Sequence, residues 1–164
     1  MHDFKKVLAA LSFSNNLREE FLFAAKFADN LEAELVVLNV INARDLDAVT
    51  SISSMGYEVD GNHYIDGVTK ERTALLDGII DDSAFDRKNL RIVFKVGHPI
   101  QEILQFIMKE SVDMIIMGAK GRTNLEEVLV GSVAEKLFRK SPVTVVSYRP
   151  KEHSEKLKRK IHDT

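Results

Sequence analysis

Residues 90–117 read LRIVFKVGHPIQEILQFIMKESVDMIIM. Leu90 to Val96 is an apolar, β-branched run of strand length, and Gly97-His98-Pro99 interrupts it. Proline suits the first helical position, where a missing N–H breaks no intrahelical bond. From there Ile100, Ile103, Leu104, Ile107 and Met108 recur at three- and four-residue spacing, which predicts a helix with one buried stripe. Asp113 to Met117 (DMIIM) is then apolar almost throughout, as a strand covered on both faces must be. Strand, helix, strand is a β-α-β unit, two parallel strands joined by a right-handed crossover.

The same alternation extends in both directions. Phe4 to Leu11 (FKKVLAAL) reads as a strand, Ser12 to Asn16 as a turn with Ser14 as helix N-cap, and the following helix runs to about Leu31. Its apolar side carries Leu17, Phe21, Ala24, Ala28 and Leu31, and the phenylalanines Phe21, Phe23 and Phe27 are assigned to the core. Glu34 to Ile41 (ELVVLNVI) is a second strand buried on both faces. Asn42 to Tyr64 has no strong period and is expected to be a functional or mobile segment, helical in part around Leu46 to Ile52. A helix is expected from Ile65 to about Ile80, with Val68, Leu75, Leu76, Ile79 and Ile80 inward. Val143 to Tyr148 (VTVVSY) is a fifth strand, expected at the sheet edge. The fold class is therefore α/β, one domain with a doubly wound, five-stranded parallel sheet and helices on both faces.

Composition bounds the function. The chain has 164 residues, 45% hydrophobic and 29% charged, a globular mix large enough for its own core. There is no cysteine, so disulfides, thiolate zinc sites and a cysteine nucleophile are excluded. The net charge of -2 gives no reason to expect a nucleic-acid or membrane partner. The charge is uneven: residues 149–164 form a basic tail of net +3, and residues 1–148 carry -5. The tail is expected to be a solvated end, with a weak anionic contact as the alternative. No targeting or membrane-spanning stretch is legible, so a soluble cytoplasmic protein is expected.

The chemistry is concentrated in Met117 to Val133 (MGAKGRTNLEEVLVGSV), which leaves a buried strand and enters a helix. Gly118 and Gly121 are followed, after nine intervening residues, by Gly131-Ser132. Glycines let backbone N–H groups approach a ligand closely, and a loop leading to a helix N-terminus is an anion site. Lys120 and Arg122 add positive charge beside it, and a triphosphate is the anion such a cradle fits. A purely structural reading stands beside this one. Thr123-x-x-Glu126 and Ser132-x-x-Glu135 are capping boxes, and Gly118 and Gly121 are what a tight turn needs. The two readings are compatible, because an anion would use the helix start at Ser132. Neither GxxxxGK[ST] nor a GxGxxG after the first strand is present, which excludes the P-loop and the dinucleotide fingerprint.

The pattern Gly118-x2-Gly121-x9-Gly131-Ser132 resembles the nucleotide-binding signature of the universal stress protein family. The resemblance spans nearly the whole chain through KKVLAALSFS, LVVLNV, VGHPIQEIL, DMIIMGAKGR and VGSVAEKLFRKSPVTVV. It implies strand order 3-2-1-4-5 and a ligand at the switch point between strands one and four. It further implies ATP, or ADP or AMP, with the phosphates on Gly118, Lys120, Gly121, Gly131, Ser132 and Val133. Val40 would meet adenine through its backbone, Ala10 and Leu11 would line the base and ribose, and Met117 completes the set. Family members without the glycines look non-binding, and this chain has them. Ser12 stands where most such proteins have Asp, which places the ribose contact and any Mg²⁺ in question. The resemblance also implies a homodimer through residues 143–148 and a regulatory role in stress response. It leaves the downstream partner unnamed.

Other candidates are weaker. The five histidines His2, His63, His98, His153 and His162 show no metal-ligand spacing. His98 is read as a cap or surface residue, with reach to the nucleotide as the alternative. Ser132 lacks a GxSxG elbow, and Asp113 stands at the wrong end of its strand for catalysis. The expectation is a binding protein, not an enzyme, with slow ATP hydrolysis or self-phosphorylation and a non-ATP ligand as the alternatives.

Overall fold

The computed structural model describes residues 3–56, 60–119 and 131–162. Lys120, Gly121, Arg122, Thr123 and Glu126, on which part of the loop reading rests, lie outside them. Five parallel strands form one sheet in the order β3-β2-β1-β4-β5. They are β1 (Lys6–Ala10), β2 (Glu34–Asn42), β3 (Leu90–Gly97), β4 (Met114–Gly118) and β5 (Thr144–Tyr148). Six helices are described: α1 (Leu17–Asn30), α2 (Ala43–Ser54), α3 (Gly61–Asp82), α4 (Pro99–Lys109), α5 (Ser132–Lys140) and α6 (Lys151–His162). The expected fold class and strand order are both observed.

The two-residue period of the strands sorts the core into two layers. Val7, Ala9, Leu35, Val37 and Ile116 face α1 and α3, where Phe21, Ala24, Ala28, Leu76 and Ile80 meet them. Leu8, Val36, Leu38, Ile115 and Met117 face α4 and α5, against Ile100, Ile103, Phe106, Ile107 and Leu137. Asp113 is structural: its Oδ2 accepts from the Lys5 and Lys6 amides, both at 2.8 Å, and pins the start of β1 beside β4.

Several local expectations are corrected. Asn16, not Ser14, is the N-cap of α1; Ser14 Oγ instead accepts from the Asn16 amide at 3.3 Å and closes the turn before it. The segment 42–64 contains all of α2 and the start of α3, capped by Asn42 and Asp60 side chains that accept from Arg44 and Asn62 amides. α2 buries no residue, and the helix expected around Leu46 to Ile52 extends over Ala43–Ser54. Met108 and Leu75 are 69% and 52% exposed, because Phe106 and Arg72 take the inward positions. The basic tail is helical over Lys151–His162, without a buried residue but with ion pairs Lys156–Glu152 and Lys158–Glu155 along it. β5 is the sheet edge, as expected.

Candidate functional site

At the carboxyl ends of the strands, β1 and β4 send their chains to opposite faces. β1 continues into α1 on one layer, and β4 leads to α5 on the other. A crevice opens at such a divergence. Here it is a cleft of about 290 Å³. Of the eleven residues assigned from sequence, nine line it: Ala10, Leu11, Ser12, Val40, Met117, Gly118, Gly131, Ser132 and Val133. The remaining two, Lys120 and Gly121, lie outside the described residues. His98 is exposed and is not among the lining residues, although its neighbour Pro99 is.

The β1 side of the cleft is set by a chain of polar contacts. Leu11 N–H donates to Leu38 O at 3.1 Å, holding the end of β1 on β2. Asn39, 3% exposed, donates from Nδ2 to Leu11 O at 2.7 Å. Arg72, on the inner face of α3, donates from Nη1 to Asn39 Oδ1. Its guanidinium lies 5.3 Å from the centre of the Phe13 ring. Phe13 has φ 56°, a left-handed conformation that a bulky residue adopts only under constraint, and its ring also meets Phe94 at 6.4 Å. The strained turn and the buried arginine brace each other and fix where Leu11 and Ser12 enter the cleft.

The β4 side is backbone. Ala119 N–H donates to Tyr148 O at 3.0 Å, and Ala119 O accepts from Gly131 N–H at 2.9 Å, so the two ends of the loop are held together. Gly131 is the N-cap of α5 and provides no side-chain cap, while Ser132 is the first helical residue. The capping box expected at Ser132 does not form; Glu135 Oε1 pairs with Arg139 at 3.4 Å instead. The first-turn amides of α5 therefore face the cleft without a side-chain acceptor, at the positive end of the helix.

Sequence reasoning missed Asn39, Asn42 and Arg72 as lining residues. The signal was present for two of them. Arg72 sits between Val68 and Leu76 on the inward face of α3, and Asn39 interrupts an otherwise apolar buried strand. Among the described lining residues there is no Asp, Glu or His, and no cluster of three metal-ligating side chains occurs among the described residues. No described helix is long and apolar enough to cross a membrane.

Comparison with known proteins agrees with this architecture. The universal stress protein family model matches residues 3–149. A universal stress protein of Methanocaldococcus jannaschii is 30% identical over 156 residues, covering 87% of this chain and 94% of its own. One of Bacillus subtilis is 29% identical over 150 residues, 87% of this chain and 99% of its own. Among solved structures, the M. jannaschii protein MJ0577 superposes with TM-score 0.70 at 27% identity, over 92% of this chain and 99% of that one. A universal stress protein in complex with cAMP superposes with TM-score 0.60 over 90% of this chain and 98% of that one; at 18% identity it shares the fold. This chain belongs to the universal stress protein family.

Proposed function

We propose that the cleft binds an adenine nucleotide, ATP or its di- or monophosphate, and that the protein is a regulatory module of the stress response rather than an enzyme. The observation that carries this reading is the convergence of residues far apart in sequence, from β1, β2, β4 and α5, on one cleft. The first turn of α5 supplies donors for phosphate, and the apolar floor of Leu38, Ile103 and Leu137 suits a base. The absence of an acid or imidazole among the described lining residues gives water no general base there, which favours binding over hydrolysis. The edge strand β5 offers unpaired backbone groups for a two-fold partner, so the working form in this reading is a homodimer.

The nucleotide reading is tested by mass spectrometry of small molecules released from the purified protein, followed by calorimetric titration with ATP, ADP, AMP and cAMP. Micromolar affinity for at least one supports it, and no heat with any of them removes it. A turnover assay with and without Mg²⁺ decides against hydrolysis when no phosphate is released. Light scattering at micromolar concentration reports the dimer, which Val145→Pro should dissociate.

A further inference from the structure

Glu20 takes no part in the cleft lining, yet it stands directly behind it. It lies on α1 between Leu17 and Ala24, on the face that packs the core, and is 3% exposed. Its carboxyl is packed against the backbone of Gly118: a Cβ added there would collide with Glu20 Oε1 and lie 2.9 Å from Cδ. A side chain at 118 would have to displace this carboxyl from the place it occupies. Glu20 Oε2 is buried and has no hydrogen-bond partner among the described residues. An unpaired carboxylate in such a place is strongly disfavoured against the neutral acid. Burial first, and then the neighbouring Glu19, push the Glu20 pKa up to about 7.

Of the charged groups around Glu20, Glu19 raises its pKa further. Glu19, on the same helix, is exposed and accepts from Tyr148 OH of β5 at 3.1 Å. β4 offers the Gly118 backbone. From α6, Lys151, Glu152, Glu155, Lys156 and Arg159 gather around Glu19 at the surface and form no described hydrogen bond or ion pair with Glu20.

We propose that Glu20 is a proton-operated positioning residue beneath the root of the glycine loop: as the neutral acid it admits an anion at the Gly118 end of the cleft, and as the carboxylate it opposes that anion. The inference rests on the nucleotide reading above and adds its regulation. Two negative groups on either side of one backbone segment repel through a medium that water does not fill. Anion binding and protonation of Glu20 therefore assist each other. ATP affinity should fall as pH rises above about 7. The fall should approach tenfold per pH unit, the limit for one linked proton. Binding near neutrality should take up a proton.

The test compares the full-length parent with Glu20→Gln and Glu20→Ala. ATP affinity is measured from pH 6 to pH 9, and the Gly118 amide is followed by NMR in the ligand-free proteins. Because ATP's own titration is common to all three, only the difference between proteins counts. A parent affinity that falls at least fivefold more than that of Glu20→Gln, with the Gly118 amide titrating in the parent alone, supports the switch. Equal pH slopes in parent and variants overturn it while leaving nucleotide binding intact. A total lack of ATP binding in every protein instead removes the nucleotide reading. In that case a Gly118 amide that ignores pH overturns the switch as well, and one that titrates with Glu20 upholds the coupling at Gly118.

Discussion

The two walls of the cleft solve the same problem in opposite ways. On the β1 side, position is fixed by side chains whose polar atoms answer one another: Arg72 to Asn39, Asn39 to the Leu11 carbonyl, with Phe13 stacked beneath the guanidinium. On the β4 side the described wall is backbone, bounded by Gly118 and Gly131, and the buried acid behind it, Glu20, has an Oε2 without a hydrogen-bond partner among the described residues. A satisfied polar chain makes a rigid wall, because each member loses a bond if any other moves. An unsatisfied acid makes a wall whose electrostatics depend on a proton. The stiffness of the first lets the second be adjustable without loss of the cleft's shape.

Breaking the rigid wall should have the largest effect. Asn39→Leu keeps the volume but strands the Leu11 carbonyl and one donor of Arg72 in the interior. Leaving two buried groups short of a partner should cost about 4 kcal/mol. Denaturant unfolding of the variant should show a much lower midpoint with an unchanged m-value, and a loss below about 1 kcal/mol would mean that water satisfies both groups.

The adjustable wall should show itself in the pH dependence of stability. Glu20 ordinarily ionises near 4.5, the unfolded value, and in the fold near 7. Below the lower value both states hold the proton and nothing changes. Between the two values only the folded chain holds it, so stability falls as pH rises through this window and is level above it. Relative to Glu20→Gln, which cannot ionise, the parent should lose about 3 kcal/mol across the window. Parallel stability curves for the two proteins would place the acid in contact with water.

The legibility of the sequence follows the same division. The parallel strands were readable because strands covered on both faces must be continuously apolar, as ELVVLNVI and DMIIM are. Gly118 and Gly131 could be assigned to the cleft because they stand at the end of a strand and the start of a helix, both local signals. The polar wall left only an arginine and an asparagine at inward positions as signals, because the contact that gives them meaning joins residues 33 apart. Glu20 was overlooked for a related reason. It occupies a core position of the α1 stripe, and a charged residue there reads as a break in the pattern rather than as a buried acid. α2 was legible only in part, around Leu46 to Ile52, because with no buried residue its ends carry no apolar marker.

Ser132 separates the capping role from the ligand role. It is the first residue of α5 and makes no cap hydrogen bond, so Ser132→Ala should change stability by less than about 0.5 kcal/mol. If its hydroxyl and the first-turn amides hold a phosphate, ATP affinity should still fall roughly tenfold, the worth of one charge-assisted bond. Calorimetry and thermal unfolding on the same sample check both. Lost stability with retained affinity would return Ser132 to a structural role.

The smallest expected effect lies where the walls meet. Ser12 follows β1 and lines the cleft across from Gly118, and it offers a neutral oxygen. Mg²⁺ beside phosphates is commonly held by one or two carboxylates, and no described lining residue carries one. Nucleotide binding should therefore change little, about twofold or less, when Mg²⁺ is removed. Ser12→Asp adds a carboxylate that repels phosphate when unpaired and binds the ion when it is present. Its ATP affinity should then drop several-fold in chelator and recover with Mg²⁺. The comparison between walls sharpens this expectation, since Arg72 stands on the same side and would draw a new carboxylate toward itself. Were that pull to dominate, Ser12→Asp would gain stability and show no metal dependence, and titrations of both proteins with Mg²⁺ and with chelator distinguish the two outcomes.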